Sequence, residues 1–207
     1  MDAIATPENR LIAVLVAATV SISALVYIWR VYRRRRARSR LNAAITAVGL
    51  EALQNVLLPD GMGGSMHVDF LLLTTRCVLV VDLRDVVGNI FGGDQMTEWT
   101  VMAGAKRTTF QNPQGAMYDR VAAVKQLSGD LPVEGRVLFT RRGRFPKGLP
   151  RWTMMVDSLR AEFPPADAHA REALMGRYRE TWNAISAEVS PSPLKKPPPF
   201  LREVFLE

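Results

Sequence analysis

The stretch HVDFLLLTTRCVLVVDLR, residues 67–84, predicts a central hairpin, two strands joined by a tight turn at residues 74–76. Alternate residues of a strand share a face, so Asp82 and Arg84 project to the same side of the second strand. The hairpin brings Asp69 of the first strand beside the end of the second. These three side chains predict either a divalent-cation site or an Asp–Arg ion pair, and the sequence leaves both open.

A long apolar run, residues 11–29, carries no charged side chain and is followed by seven arginines in residues 30–40. At about 1.5 Å per residue the run spans roughly the apolar thickness of a bilayer. A cleaved signal peptide and a buried helix are the alternatives, but a signal peptide carries its positive charge before the run. The charge order favours a transmembrane helix with residues 1–10 outside and everything after it in the cytoplasm. The predicted membrane-interface residues are Trp29, Arg30, Arg33, Arg34, Arg35 and Arg36.

The formal charge of +7 is concentrated beside this run. Residues 41–207 contain 19 Lys and Arg against 18 Asp and Glu, so the rest of the chain is nearly neutral. The basic excess therefore indicates mainly membrane topology and contact with lipid, and a nucleic-acid role for the run is the secondary interpretation. Cys77 is the single cysteine, so no intrachain disulfide can form, which fits a reducing compartment.

Beyond the arginines we predict a domain over residues 41–163, a C-terminal helix over 164–189 and a proline-rich tail over 190–207 without a packed core. Turn residues and apolar periodicity divide the domain further. The predicted elements are strands at 52–58, 98–103, 105–110 and 136–140, sharp turns around residues 86–93, and helices at 112–127, 154–163 and 166–189.

A second basic segment, RRGRFPKGLPR at residues 141–151, lies inside the domain. A solvated loop is the favoured interpretation. The alternative is an edge that contacts the phosphates of a nucleic acid beside the candidate site. The residues that would make those contacts are Arg141, Arg142, Arg144 and Lys147.

Six short motifs occur in an order that is typical of one family. They are NVLLP at residues 55–59, HVD at 67–69, VVDLR at 80–84, GNIFG at 88–92, Trp99 and FQNP at 110–113. This order resembles the nuclease-related domain (NERD) family of bacterial proteins over about residues 38–160. The family is similar to the PD-(D/E)xK nucleases. The resemblance therefore implies an α/β (α+β) fold, a mixed β-sheet flanked by helices with a restriction-endonuclease-like core, here preceded by one transmembrane helix.

The resemblance also implies a chemistry. Asp69 and Asp82 would hold Mg²⁺, Arg84 would clamp a phosphate, and the substrate would be DNA or RNA. The chain departs from the family pattern, because Asp82 replaces a longer Glu and Arg84 replaces a Lys. Residues 30–50 contain no acidic residue, so the carboxylate that the family carries on its first helix is missing. In addition, His67 stands where the family has Gln.

These departures favour a protein anchored in the bacterial inner (cytoplasmic) membrane whose domain is a non-catalytic or weakly active nuclease relative. Such a domain would act as an interaction module for nucleic acid or protein. The alternative is a Mg²⁺-dependent phosphodiesterase with Asp69 and Asp82 as metal ligands. The membrane lipid is the partner that the anchor implies.

Overall fold

A computed structural model describes residues 7–61 and 63–193, and the chain divides into two compact units, Met1–Ala44 and Ile45–Glu207. Helix α1 (Pro7–Thr46) occupies the described part of the first unit and reaches the start of the second. Its part Val14–Thr46 is long and apolar enough to cross a membrane, and none of its most apolar window, of mean hydropathy 1.9, is buried. Length and composition alone support this assignment, and a signal sequence shares both.

The second unit has a mixed α+β fold, as the sequence predicts. Its elements in chain order are β1 (Glu51–Pro59), β2 (Ser65–Leu73), β3 (Val78–Arg84), β4 (Gly88–Phe91), β5 (Glu98–Ala103), β6 (Lys106–Gln111), α2 (Pro113–Leu127), β7 (Val133–Phe139), β8 (Gly143–Arg144), β9 (Thr153–Met155), a 3₁₀ turn (Val156–Ser158), α3 (Leu159–Glu162), α4 (Ala168–Glu188) and β10 (Ser190–Pro191). One sheet has the strand order β10-β1-β2-β3-β7-β9, and the other has the order β6-β5-β4-β8. The pairs β3–β7, β7–β9 and β4–β8 are parallel and the other pairs are antiparallel.

The predicted central hairpin is confirmed as strands β2 and β3. The turn between them is closed by Thr74, whose hydroxyl donates to the Cys77 carbonyl at 2.8 Å and accepts from the Cys77 amide at 3.1 Å. Both residues are buried, so the turn satisfies its polar groups internally. Cys77 is thus a small core residue, as its place in an apolar strand predicts.

Helix α2 begins where the sequence predicts. The side chain of Asn112 accepts from the Gln114 amide at 3.0 Å, and Pro113 occupies the first turn, where its missing N–H is not needed. The helix packs closely on β7 at Gly135. A Cβ atom there would lie 2.6 Å from the Met117 sulfur, so only a glycine permits this approach. Helix α2 therefore covers β3 and β7 on one face of the larger sheet.

The predicted helix at residues 154–163 is wrong in its first half. Met154 pairs with Leu138 in the parallel strand β9, and a 3₁₀ turn and the short helix α3 follow. Pairing with the free edge of β7 overrides the helical preference of the local sequence. The turns predicted around residues 86–93 likewise contain a strand, β4, because Ile90 pairs with Val101 of β5.

The start of the proline-rich tail is also packed, against expectation. Strand β10 pairs with β1, and Ser192 is 7 % exposed. Asn55, in the left-handed region at φ 54°, explains the attachment, since its side-chain amide donates to the Ser192 carbonyl and its carbonyl accepts from the Ser192 amide. Residues 194–207 of the tail lie outside the described part of the chain.

Candidate functional site

The two aspartates of the candidate site meet across the central hairpin. Phe70 pairs with Val81, so Asp69 stands opposite Asp82 one step further along. Oδ2 of Asp69 accepts a hydrogen bond of 2.8 Å from the backbone amide of Leu83. The register predicted from residues 67–84 therefore brings both carboxylates to one place.

Two arginines hold Asp82. Nη2 of Arg84 lies 2.6 Å from Oδ2 of Asp82, and Nη1 of Arg120, on helix α2, lies 3.4 Å from the same oxygen. Arg120 also donates from Nε to the carbonyl of His67 at 2.7 Å. The side chains of Asp82, Arg84 and Arg120 are only 8 %, 12 % and 16 % exposed. We refer to Asp69, Asp82, Arg84 and Arg120 as the carboxylate cluster.

Arg120 is the member of this cluster that the sequence interpretation missed. It lies three residues after Met117 and four before Val124, both of them buried side chains of α2. Residues three and four apart share a helix face, so a cation within this apolar stripe must point at the sheet. That spacing was readable in the sequence and would have indicated a buried acidic partner.

Burial and the neighbouring Asp82 carboxylate raise the pKa of Asp69 to about 6, against the opposing effects of the Leu83 amide and Arg84. Burial and the charge of Arg120 lower the pKa of His67. The imidazole therefore stays neutral near pH 7. Its Nε2 lies 2.9 Å from Oδ1 of Asn55, and its Nδ1 lies 3.8 Å from Oδ1 of Asp69.

The cluster does not match a magnesium site. Mg²⁺ requires several oxygen ligands in octahedral geometry, and two carboxylates and water usually supply them. Here two guanidinium groups already balance the two carboxylates, and a dication that bound Oδ2 of Asp82 would have to displace an arginine. Within residues 7–61 and 63–193, no three His, Cys, Asp or Glu side chains are grouped so that they could hold a metal ion.

The basic segment 141–151 divides into paired and unpaired cations. Arg141 binds Asp157 at 2.7 Å and Arg142 binds Asp85 at 2.8 Å. Asp85 directly follows Arg84, so the segment borders the chain end of β3. Arg144 and Lys147 are exposed and form no ion pair with any residue that the structure describes.

Comparison with known proteins gives a family but no described activity. An uncharacterized protein of Bacillus anthracis is 25 % identical over 120 residues, which are 58 % of this chain and 57 % of that protein. The chain thus spans little more than half the length of this relative. No solved structure matches the present chain. The model of the nuclease-related domain, NERD, matches residues 33–140, more than half of the chain and the whole carboxylate cluster. The chain therefore belongs to the nuclease-related domain family.

Proposed function

We propose that this chain is a membrane-anchored member of the family whose carboxylate cluster does not hydrolyse nucleic acid, and whose domain binds a nucleic-acid or protein partner instead. The observation that carries the proposal is the contact of 2.6 Å between Arg84 and Asp82, reinforced by Arg120. A carboxylate that two buried cations hold is a poor ligand for a third cation.

The chemistry of the individual groups supports the same conclusion. Arg84 stands where related nucleases use Lys, and a guanidinium stays protonated and cannot accept a proton from an attacking water. Burial and the Asp82 carboxylate raise the pKa of Asp69 to about 6, so a proton competes with a metal ion for this carboxylate more strongly than at an exposed aspartate. Both features disfavour a metal-assisted hydrolysis without disturbing the fold.

The nuclease test uses the full-length protein in detergent micelles with supercoiled plasmid and either Mg²⁺ or Mn²⁺. We expect no nicking and no metal-dependent rise in melting temperature, because no bound cation stabilises the folded state. Metal-dependent nicking that Asp69→Ala abolishes and Asp119→Ala preserves would contradict the proposal. It would support the phosphodiesterase alternative, with Asp69 and Asp82 as Mg²⁺ ligands. Asp119 is a suitable control, since it is an exposed aspartate of α2.

The proposed anchor is α1, whose apolar side chains are exposed from Val14 to Trp29. The helix continues through the seven arginines without a break, which is unlike the region around a signal-peptide cleavage site. The guanidinium of Arg33 lies 4.7 Å from the centre of the Trp29 ring, a pairing suited to the headgroup layer. We infer insertion in the bacterial inner membrane with the N-terminus outside, the domain in the cytoplasm and lipid around residues 29–36.

Membrane fractionation tests the anchor. The full-length chain should remain in the pellet after alkaline carbonate extraction, whereas a peripheral protein would be released. Replacing Val20 and Ile22 with arginine should release it, because each arginine at the centre of a span opposes insertion by about 2.5–3.5 kcal/mol. A chain that is soluble after gentle lysis, or one shortened by cleavage after the apolar run, would contradict the anchor.

A further inference from the structure

Two aromatic rings form a parallel pair at the surface of the domain. Tyr118 of α2 and Trp152, just before β9, stack with ring centroids 6.3 Å apart and an angle of 10° between the planes. Tyr118 is 62 % exposed, although it lies one residue from the buried Met117. We refer to Tyr118 and Trp152 as the aromatic platform. A tyrosine exposed to this extent contributes little to the core, so its packing alone does not explain the pair.

The segment that carries Trp152 is held rigidly. Phe145 contacts the buried Phe139 ring edge-on at a centroid distance of 4.9 Å and Trp99 at 6.1 Å. Trp152 itself has φ 59°, a left-handed conformation that is unusual for a bulky residue. Its carbonyl accepts from the Val137 amide at 2.8 Å, which fixes this conformation in the sheet. Such conformations persist only where the surrounding structure imposes them, and they are concentrated at functional sites.

Hydrogen bonds to Asp94, between β4 and β5, and from Gln114 of α2 also fix the backbone next to the platform. The amide of Arg151 donates to Oδ1 of Asp94 at 2.8 Å, and the side-chain amide of Gln114 donates to the Arg151 carbonyl. The aromatic platform is therefore preorganised, so a ligand would not have to order it on binding.

Basic side chains accompany the rings in the chain. The guanidinium of Arg151 lies 5.8 Å from the Trp152 ring centre, and the exposed Arg144 and Lys147 belong to the same segment. The segment 141–152 contains no acidic residue of its own, although the Asp94 carboxylate accepts from the Arg151 amide. Two flat rings in a basic segment combine the two contacts that a single nucleic-acid strand requires, a surface for its bases and charges for its phosphates.

We propose that the aromatic platform binds single-stranded nucleic acid, with an unpaired base on Tyr118 and Trp152 and the backbone along Arg144, Lys147 and Arg151. This inference rests on the proposed binding function and names its ligand. A duplex hides the faces of its bases and offers only phosphates to such a surface. A protein partner would more often meet an aliphatic and aromatic patch depleted of lysine, so the charges favour the nucleic acid.

The position of the platform in the sheet agrees with this assignment. Asp82 pairs with Val137 of β7, and Val137 pairs with Thr153 of β9. Thr153, the residue after Trp152, is thus two strands from Asp82, or about 10 Å at the usual strand spacing. A strand of a few nucleotides that binds the platform would pass close to the carboxylate cluster.

The test measures the fluorescence anisotropy of a labelled oligothymidylate of about 20 nucleotides, longer than most single-strand footprints. The protein is the full chain in lipid nanodiscs, and EDTA is present throughout. We expect single strands to bind more tightly than a duplex of the same length. Tyr118→Ala should weaken binding at least about fivefold, while Tyr118→Phe, which keeps the ring, should bind nearly as the wild type. An oligouridylate arm compares RNA with DNA.

The arginines of residues 30–40 will attract any polyanion, so the controls must separate them from the platform. Tyr32, 59 % exposed and within that basic run, provides the matched aromatic control, and Tyr32→Ala should leave the affinity unchanged. Lys147→Ala should reduce the dependence of affinity on salt, whereas Lys106→Ala, at an exposed lysine of β6, should not.

Equal affinity of Tyr118→Ala and wild type, or a larger loss in Tyr32→Ala, would overturn the inference. Binding of the duplex at least as tight as that of the single strand would overturn it as well. These outcomes are independent of the nicking assay, because binding is measured without metal. A protein that binds the oligonucleotide and also cleaves plasmid with Mg²⁺ would refute the proposed lack of hydrolysis and leave the platform in place.

Discussion

Helix α2 contributes a side chain to each of two contrasting regions. One buries its charged groups and the other exposes an aromatic ring. On one side Arg120 reaches into the carboxylate cluster, where acids and bases satisfy one another away from water. On the other side, two residues earlier, Tyr118 stacks on Trp152 and remains 62 % exposed. The charged groups of the first region are mostly buried and paired, whereas the second region presents an aromatic ring to solvent.

The contrast between the buried cluster and the exposed rings indicates which residues could carry the function of a family member with an altered catalytic motif. Buried ion pairs contribute little net stability but are expensive to break, so a former metal site can survive as a structural element. An exposed ring and unpaired cations contribute little to the stability of the fold, so they are free to contact a partner. Substitutions in the two regions should therefore affect different properties, stability in the first and binding in the second.

The largest effect is expected from Asp82→Ala. The substitution removes the acid that faces Arg84 and Arg120 and leaves their charges uncompensated in a buried site. The free energy of unfolding of the domain should fall by about 3–5 kcal/mol, as is typical when one partner of a buried pair is removed. Urea denaturation of the full chain in micelles, followed by tryptophan fluorescence, measures the change.

Asp119→Ala is the matched control for this variant. Asp119 is also an aspartate, but it lies exposed on α2, so its removal should change the free energy of unfolding by no more than about 0.5 kcal/mol. If Asp82→Ala were equally mild, the cluster would be hydrated and accessible, and the contrast between the two regions would disappear.

Local sequence signals were sufficient for the hairpin and for α2. The alternation in residues 67–84 and the Asn112–Pro113 start each depend on neighbours in the chain, and both predictions are confirmed. The common face of Asp82 and Arg84 also followed from strand periodicity, and of the two alternatives that it left open the structure has the ion pair.

Features that depend on distant partners were not accessible in the same way. Strand β9 forms because β7 offers a free edge, and β10 forms because Asn55 binds Ser192 across 137 positions of the chain. Trp152 carries no local signal of its partner, because its stacking on Tyr118 joins two elements that no local pattern connects. The platform therefore required the structure.

A smaller, pH-dependent effect is expected from Asp69→Asn. Burial and the Asp82 carboxylate raise the pKa of Asp69 from its usual 3.8 to about 6. Between these values the folded protein holds a proton that the unfolded chain has lost, so this group makes the protein less stable as pH rises and reaches its full penalty above pH 6. Asparagine cannot ionise, and its side-chain oxygen can still accept from the Leu83 amide.

Asp69→Asn should therefore match the wild type in melting temperature near pH 4 and exceed it near pH 8, by up to roughly 2–3 kcal/mol in the free energy of unfolding. Thermal melts of both proteins across this range test the expectation. An advantage that is largest in acid, or one that Asp119→Asn shares, would show that the two carboxylates do not interact in the folded state and would reopen the site to a metal.

The smallest effect on stability is expected from Tyr118→Ala. Since the ring is 62 % exposed and its stacking on Trp152 is its main aromatic contact, the free energy of unfolding should fall by no more than about 1.5 kcal/mol. Trp99→Ala is the contrast, because Trp99 is fully buried among Phe110, Phe139 and Phe145, and its loss should remove about 3–5 kcal/mol. A tyrosine whose removal hardly changes a urea melt but weakens oligonucleotide binding severalfold serves the ligand rather than the fold. A loss comparable to that of Trp99 would place Tyr118 in the core and leave the carboxylate cluster and the platform as two parts of one structural unit.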